Sequence, residues 1–421
     1  MTDILRRHNV IIRAALVVFT ASAAFLLSAA GDSLLIQARS GDPDSQFRLA
    51  SEYFSGRNRN VNPVLAVYWF RRAADAGHAA SQFNLGRCFE KGWGCSQSFG
   101  MALKYYSLAM QKRVPEAVLC YAELLYRGIP EENNVYGKFP PLKADPAKAL
   151  ELMRQAAEVS PQGKLILAKY LFRDAPQHGK ELRQLLEEYI KLPRPHHEAL
   201  LLYASCLRSG IGGELDIPLG IKMLQRAAGA GNHEAAAQLA EVLLNGNGLP
   251  PNPAEALELT RRAADAGNPR AMYNLANAHL AGIMVEYDIS AAFKLFSRAA
   301  GTGYPPALRR LGDCFAHGMG CEQNFSEALE NYRAAAVAGD EEACCLLGNF
   351  YAEGKGTGRD DAAAFYWYSR AAQLGSAKGM RKMAVALLDG RGVRKNRARG
   401  MEILRRAAAL GDRIASKLLQ R

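Results

Sequence analysis

A leucine followed by a glycine or alanine, with an aromatic residue or leucine three places after the small residue and a glycine three beyond that, recurs through most of this chain. The closing glycines stand at Gly56, Gly92, Gly128, Gly210, Gly246, Gly282, Gly318, Gly354 and Gly390. A second pattern runs in step: an Ala-Ala pair precedes Gly231, Gly267, Gly303, Gly339, Gly375 and Gly411, each 36 residues from the last. A fixed period of this length means stacked copies of one small unit, none of which buries its apolar face alone. One interval breaks the phase. From Gly128 to Asp174, which takes the glycine position of the fourth unit, is 46 residues, a net insertion of ten that we place within 129–146. Ten units then cover residues 44–421.

Within a unit the pattern predicts two short helices. Leu85, Gly86 and Phe89 share one helical face, and Gly92 stops that first helix. After a loop rich in Gly, Asn and Pro comes a second helix, such as the stretch from Ala66 to Ala74, ended by Gly77 at a place suited to a left-handed cap. The small column after the leucine (Ala50, Gly86, Ala122, Ala168, Ala204, Ala240, Ala276, Gly312, Gly348, Ala384) and the Ala-Ala pairs are expected to let neighbouring helices approach closely. The fold class expected is therefore all-α, a solenoid of about ten 36-residue helix-turn-helix repeats.

The run from Leu347 to Gly356, followed by Ala363 to Gly375, resembles a Sel-like repeat (SLR), a family related to the tetratricopeptide solenoids. The likeness is specific in repeats one, two and five to ten. Repeats three and four depart from it, with Ser160 and Pro195 where the final glycine belongs, and repeat four has no Ala-Ala pair. The resemblance implies a right-handed superhelix of helix pairs that binds other proteins and has no activity of its own. It further implies that first helices line the inner side, so that polar residues flanking the Leu-Gly/Ala core face a ligand. Those residues are Asn84, Arg87, Asn274, Asn277, Arg310, Asp313, Asn349 and Lys382, asparagines among them being suited to bond the backbone of an extended peptide. The competing reading is a plain solvated face. Cys120, Ile166 and Leu202 hold the first of these positions in repeats three to five and mark a more apolar stretch.

The chain begins differently. Arg6, Arg7 and Arg13 precede seventeen uncharged residues from Ala14 to Ala30, the layout of a secretory signal with Ser28-Ala29-Ala30 before Gly31 as a cleavage site. The alternative is an uncleaved anchor, with the basic side kept cytoplasmic and the remainder exported. Residues 31–43 are read as a linker and short capping segment. The expected location is extracytoplasmic, periplasmic or secreted, or membrane-anchored by one helix; the same export signal would also permit a eukaryotic protein of the secretory pathway.

Export would change how the eight cysteines are read. Cys88 with Cys95, and Cys314 with Cys321, lie seven apart in the same columns of repeats two and eight, and two local disulfides are one expectation. The other is that Cys88, Cys206 and Cys314, which share a column, are small buried apolar residues. No metal site is expected, because neither pair has CxxC spacing and no histidine sits at a matching interval.

The net charge of +12 is concentrated: residues 376–421 hold thirteen Lys and Arg against three Asp and Glu. The run Arg391, Arg394, Lys395, Arg397 and Arg399, followed by Arg405 and Arg406, is either a solvated cap on the last repeat or a patch for an anionic surface. Nucleic acid is disfavoured, since base-stacking aromatics are absent there. In the insertion, Tyr136 and Phe139 stand among prolines, either as a contact point on a rigid loop or as a cover for the junction of repeats three and four. No HExxH, GxSxG or P-loop motif occurs, and the glycine-rich stretch Gly354 to Gly358 is an interhelix loop. With no cofactor expected, the favoured function is a non-enzymatic adaptor binding a partner protein in its groove. The alternative is an enzyme or binder acting on cell-wall or beta-lactam substrates, of the kind suggested for cysteine-rich relatives.

Overall fold

The computed structural model describes residues 33–420, so the signal or anchor expected at 1–30 lies outside the described residues. Among the described residues no helix is long and apolar enough to cross a membrane. The chain divides into two compact units, the first ending at Leu192 and the second running from Pro193.

In the first unit a short helix α1 (Ser33–Ser40) occupies most of the segment read as linker and cap, and it packs on the first repeat, where the buried Gln46 side chain donates to the Ala38 carbonyl at 3.0 Å. The helix pairs follow as α2 (Pro43–Ser55) with α3 (Pro63–Asp75), α4 (Ala79–Lys91) with α5 (Phe99–Gln111), α6 (Pro115–Arg127) with α7 (Pro146–Val159), and α8 (Pro161–Arg173) with α9 (Ala175–Tyr189). Between α6 and α7 the insertion forms a hairpin of β1 (Glu132–Asn134) and β2 (Gly137–Phe139), antiparallel, with Glu132 opposite Phe139. A loop was expected there. The two-residue turn at Val135 and Tyr136 is held by the Tyr136 N–H donating to the Asn134 side chain at 3.0 Å, which lets the strands pair.

The second unit continues with α10 (His197–Ser209) and α11 (Ile217–Gly229), α12 (His233–Asn245) and α13 (Pro253–Asp265), α14 (Pro269–Ala281) and α15 (Ile289–Ala300), α16 (Pro305–His317) and α17 (Phe325–Val337), α18 (Glu341–Glu353) and α19 (Asp361–Gln373), and α20 (Ala377–Asp389) and α21 (Arg397–Ala409). The tenth repeat thus closes before the expected limit of 421, and α22 (Arg413–Leu419) occupies the first-helix place of a further unit.

These boundaries are local in origin. Except for α9, where Asp174 makes no such bond, second helices start on an Asn, Asp or Ser whose side chain accepts from a first-turn N–H, as Asn62, Asp216, Asn324 and Asp360 do, satisfying a donor that the helix leaves orphaned. Outside repeats three and four, first helices end on a left-handed glycine, as at Gly354 with φ +71°. Two residues on, Gly356 (φ +68°) lies so close to the Phe325 carbonyl of the preceding repeat that a side chain would collide with it. Packing then follows sequence order within each unit, every helix resting mainly on its immediate neighbours. The small column is buried throughout, with Ala50, Ala122, Ala204 and Ala276 fully so.

Candidate functional site

Where the small column holds glycine, a tyrosine from the second helix fills the space. Gly86, Gly312 and Gly348 each face the ring of the tyrosine twenty residues later, Tyr106, Tyr332 and Tyr368. The buried rings bring their hydroxyls up to the first-helix face, where each donates to a polar side chain: Tyr106 to Glu90 at 2.7 Å, Tyr332 to Asp313 at 2.8 Å and Tyr368 to Asn349 at 2.9 Å. Burial pushes the Tyr368 phenol up to about 12, so it remains a donor at physiological pH. The sequence reading missed these tyrosines, although their twenty-residue spacing from a glycine was visible.

Further polar residues of that face are engaged between neighbouring repeats. Arg270 on α14 reaches back to Glu234 on α12 at 2.8 Å and Lys378 on α20 to Glu342 on α18 at 2.6 Å, the same column in successive repeats. Arg309 with Asp340 and Arg381 with Asp412 repeat a second rung at 3.3 and 2.9 Å. Asn274 donates to Glu241 at 2.9 Å, and Arg310 donates to Asn277 at 3.2 Å while lying 3.6 Å from Asp313. Asn84 and Asn277 also donate back to their own helices, at the Ala80 and Tyr273 carbonyls. Arg87 is exposed and stands over the rings of Phe83 and Trp93. Four of the expected ligand readers are therefore committed, Arg310 to Asn277 and Asp313 and Asn274 to Glu241, because stacking brings side chains 31 to 36 residues apart within bonding reach.

The rung between repeats nine and ten is open. Asn349 spends its oxygen on Tyr368, its amide nitrogen has no partner among the described residues, and Lys382 on the next first helix forms no ion pair. The two line a cleft of about 290 Å³ together with Arg359, Asp361 and Arg391. Arg359 is held by Asp361 at 2.9 Å and Arg391 by Asp389 at 3.1 Å, so the uncommitted groups are two donors. Burial, reinforced by Arg381 and Lys378, lowers the Lys382 pKa, and its ammonium lies 5.9 Å from the Tyr368 ring centroid. Three residues singled out in sequence, Asn349, Lys382 and Arg391, thus meet in one place. Asn84 lines a separate cleft of about 350 Å³ in the first unit, beside Phe54 and Asn58.

The model of the Sel1 repeat matches residues 43–78, 79–112, 134–159, 197–232, 233–268, 269–303, 305–340, 341–376 and 377–412. The chain belongs to the Sel1 repeat family. Proteins of this family are generally protein-interaction scaffolds. Among curated proteins none matches the chain. Of solved structures, c5321, a protective antigen of uropathogenic Escherichia coli with an SLR fold, is 22% identical with a TM-score of 0.50, over 92% of this chain and 88% of its own. A Sel1 repeat protein from Oxalobacter formigenes is 23% identical with a TM-score of 0.51, over 57% of this chain and 99% of its own. At such identity the likeness is one of fold.

Two expectations about this Sel1 repeat chain are corrected. The pairs Cys88 with Cys95 and Cys314 with Cys321 are not bridged: all eight cysteines are free thiols. Cys88, Cys206 and Cys314 are buried in the core, where burial pushes the thiols of Cys88 and Cys314 up to about 12, while the Cys321 sulfur points at the Cys314 carbonyl oxygen, 3.5 Å away. Nor do Tyr136 and Phe139 stand out as a contact point or cover the junction of repeats three and four. The hairpin folds back onto repeat two: Tyr136 packs edge-on against Phe89 at 5.1 Å and its hydroxyl oxygen accepts from the Ser96 N–H, while the Phe139 ring lies on Gly100. Glu132 accepts from the backbone N–H groups of Phe99 and Gly100 and from the Ser98 hydroxyl, at 2.7, 3.1 and 2.9 Å, and so caps α5.

The basic run lies on the loop before α21 and on α21 itself, and all seven of its side chains are exposed. Arg391 alone of them forms an ion pair among the described residues. Apolar Ile166 and Leu202 are half-buried, one in each unit, and Cys120 sits near the Tyr106 hydroxyl.

Proposed function

We propose that this protein is a non-enzymatic scaffold that holds an extended segment of a partner protein at the cleft between repeats nine and ten. The observation that supports the reading is the open rung: where Asn274 and Arg310 bond across to the preceding repeat, Lys382 and Asn349 keep free donors over a cleft. Two such donors suit a backbone carbonyl and a carboxylate of an extended chain, whose polar groups lose water on docking and must be paired again. The secretory layout of residues 1–30 favours work outside the cytoplasmic membrane, on an exported or anchored chain.

A displayed random-peptide library selected on the immobilised full chain, with the Asn349→Ala/Lys382→Ala variant as counter-target, tests this. Peptides that bind the parent and lose about tenfold or more on the variant are expected. Selected peptides that bind both proteins equally, but lose affinity for an Asn274→Ala/Asn277→Ala/Arg310→Ala variant, would move the site to repeats six to eight.

A further inference from the structure

A second cleft of about 400 Å³ lies between α19, α20 and α21 and shares no lining residue with the first. Its floor is apolar, made by Met380, Met383 and Ile403, and Arg399 and Arg406 stand on its rim with Glu402 between them. Met380 is 9% exposed, so the floor is recessed. The two arginines are seven residues apart on α21, two helical turns, which separates them by about 10 Å along the axis. Both are exposed, and neither pairs with Glu402 or any other carboxylate among the described residues. Arg394, Lys395, Arg397 and Arg405 around them are likewise exposed and form no ion pair among the described residues.

A solvated polar cap needs no apolar recess, and a capping helix that only kept the array soluble would gain from pairing Arg399 and Arg406 with Glu402 at helical spacing. The recess with unpaired guanidinium groups on either side instead matches a ligand carrying two anionic groups around one apolar group. A bilayer fits less well, because its surface requires apolar side chains that project, whereas these are sunk between three helices. Methionines suit such a floor, since their unbranched, polarisable side chains adapt to the shape of an inserted group.

We propose that this cleft is a second docking site, which takes an acidic amphipathic helix of a partner protein, its apolar side chain entering between Met380, Met383 and Ile403 and its flanking carboxylates meeting Arg399 and Arg406. Glu402 sits at the middle of the rim and opposes such a ligand, so its removal strengthens binding. The surrounding cations raise the encounter rate and make it salt-dependent.

The test uses the full chain and a fluorescein-labelled helical peptide with glutamates seven residues apart and a leucine four after the first, read by anisotropy. Binding is expected to weaken about tenfold in Arg399→Gln/Arg406→Gln and to tighten in Glu402→Gln, a gain that misfolding cannot produce. The same peptide with alanine for leucine is expected to bind at least severalfold more weakly. Equal binding of the leucine and alanine peptides, or no change in either protein variant, would overturn the proposal in favour of simple charge attraction. Failure to bind the peptide together with sedimentation on phosphatidylglycerol vesicles, lost in the arginine variant, would assign the patch to a membrane surface instead.

Discussion

At the scale of single residues, the glycines and tyrosines of repeats two, eight and nine act as matched pairs. A Cβ on Gly348 would lie 2.5 Å from the Tyr368 ring, so Gly348→Ala alone overpacks the interface and is expected to cost about 1–3 kcal/mol in chemical denaturation. Repeats five and ten hold alanine and leucine at the same two places, Ala204 with Leu224 and Ala384 with Leu404, all buried. Combining Gly348→Ala with Tyr368→Leu is therefore expected to recover much of the loss, giving a clearly non-additive double-mutant cycle; additivity would show that the ring and the glycine are independent. A second residue-scale effect concerns Glu123 on α6. Burial and the neighbouring Glu90 raise its pKa above the ordinary carboxylate value, and Lys91, Arg127 and Arg173 only partly offset them. A carboxylate whose folded-state pKa is raised favours folding when protonated, and that contribution is lost as pH rises through the folded-state value. Glu123→Gln is accordingly expected to raise the melting temperature at pH 7, with the gain shrinking as the pH is lowered toward about 4.

At the scale of elements, helix ends were the most legible features, because caps are local chemistry: Gly354 and Asp360 act within a few residues of themselves. Repeat four shows the limit of that legibility. It lacks the glycine and the Ala-Ala pair and lies outside the matched repeat segments, yet α8 and α9 form, since the apolar faces with Leu165, Leu171, Leu182 and Leu186 are buried all the same. The hairpin was not legible, for its clasp on α5 depends on Glu132 meeting N–H groups more than thirty residues away. Glu132→Ala removes three hydrogen bonds from that helix start and is expected to cost about 1–2 kcal/mol, measured by urea unfolding. A variant as stable as the parent would show that water replaces the carboxylate without loss.

At the scale of the whole molecule, stability is carried by contacts between neighbours along each unit. Ala264→Pro, near the end of α13, removes a helical hydrogen bond at a buried position and is expected to cost about 3 kcal/mol or more. Hydrogen exchange should then quicken in α12 and α14 together with α13, while α21, several repeats on, keeps its protection. Equal quickening in all of them would mean that the second unit unfolds as one body. The charge is also a property of this scale. An excess of ten positive charges in residues 376–421, against +12 for the entire chain, gives the last repeat a field that the others lack.

The sequence by itself determined the repeat, its period, the alternation of two short helices, the columns of small residues and the place of the insertion. All of these rest on periodicity and on capping, which operate over distances of a turn or a loop. Only the tertiary structure decided how the polar groups are spent. Asn274, Asn277, Arg310 and Asp313 looked like free readers in sequence and are tied to partners, while Asn349 keeps a free amide nitrogen and Lys382 forms no ion pair among the described residues. The same holds for the aromatic hairpin turned back onto repeat two and for the thiols that lie near one another without bonding. The partners in each case come from different helices, often a full repeat away, and whether they meet depends on the stacking of those helices and not on the pattern within either one.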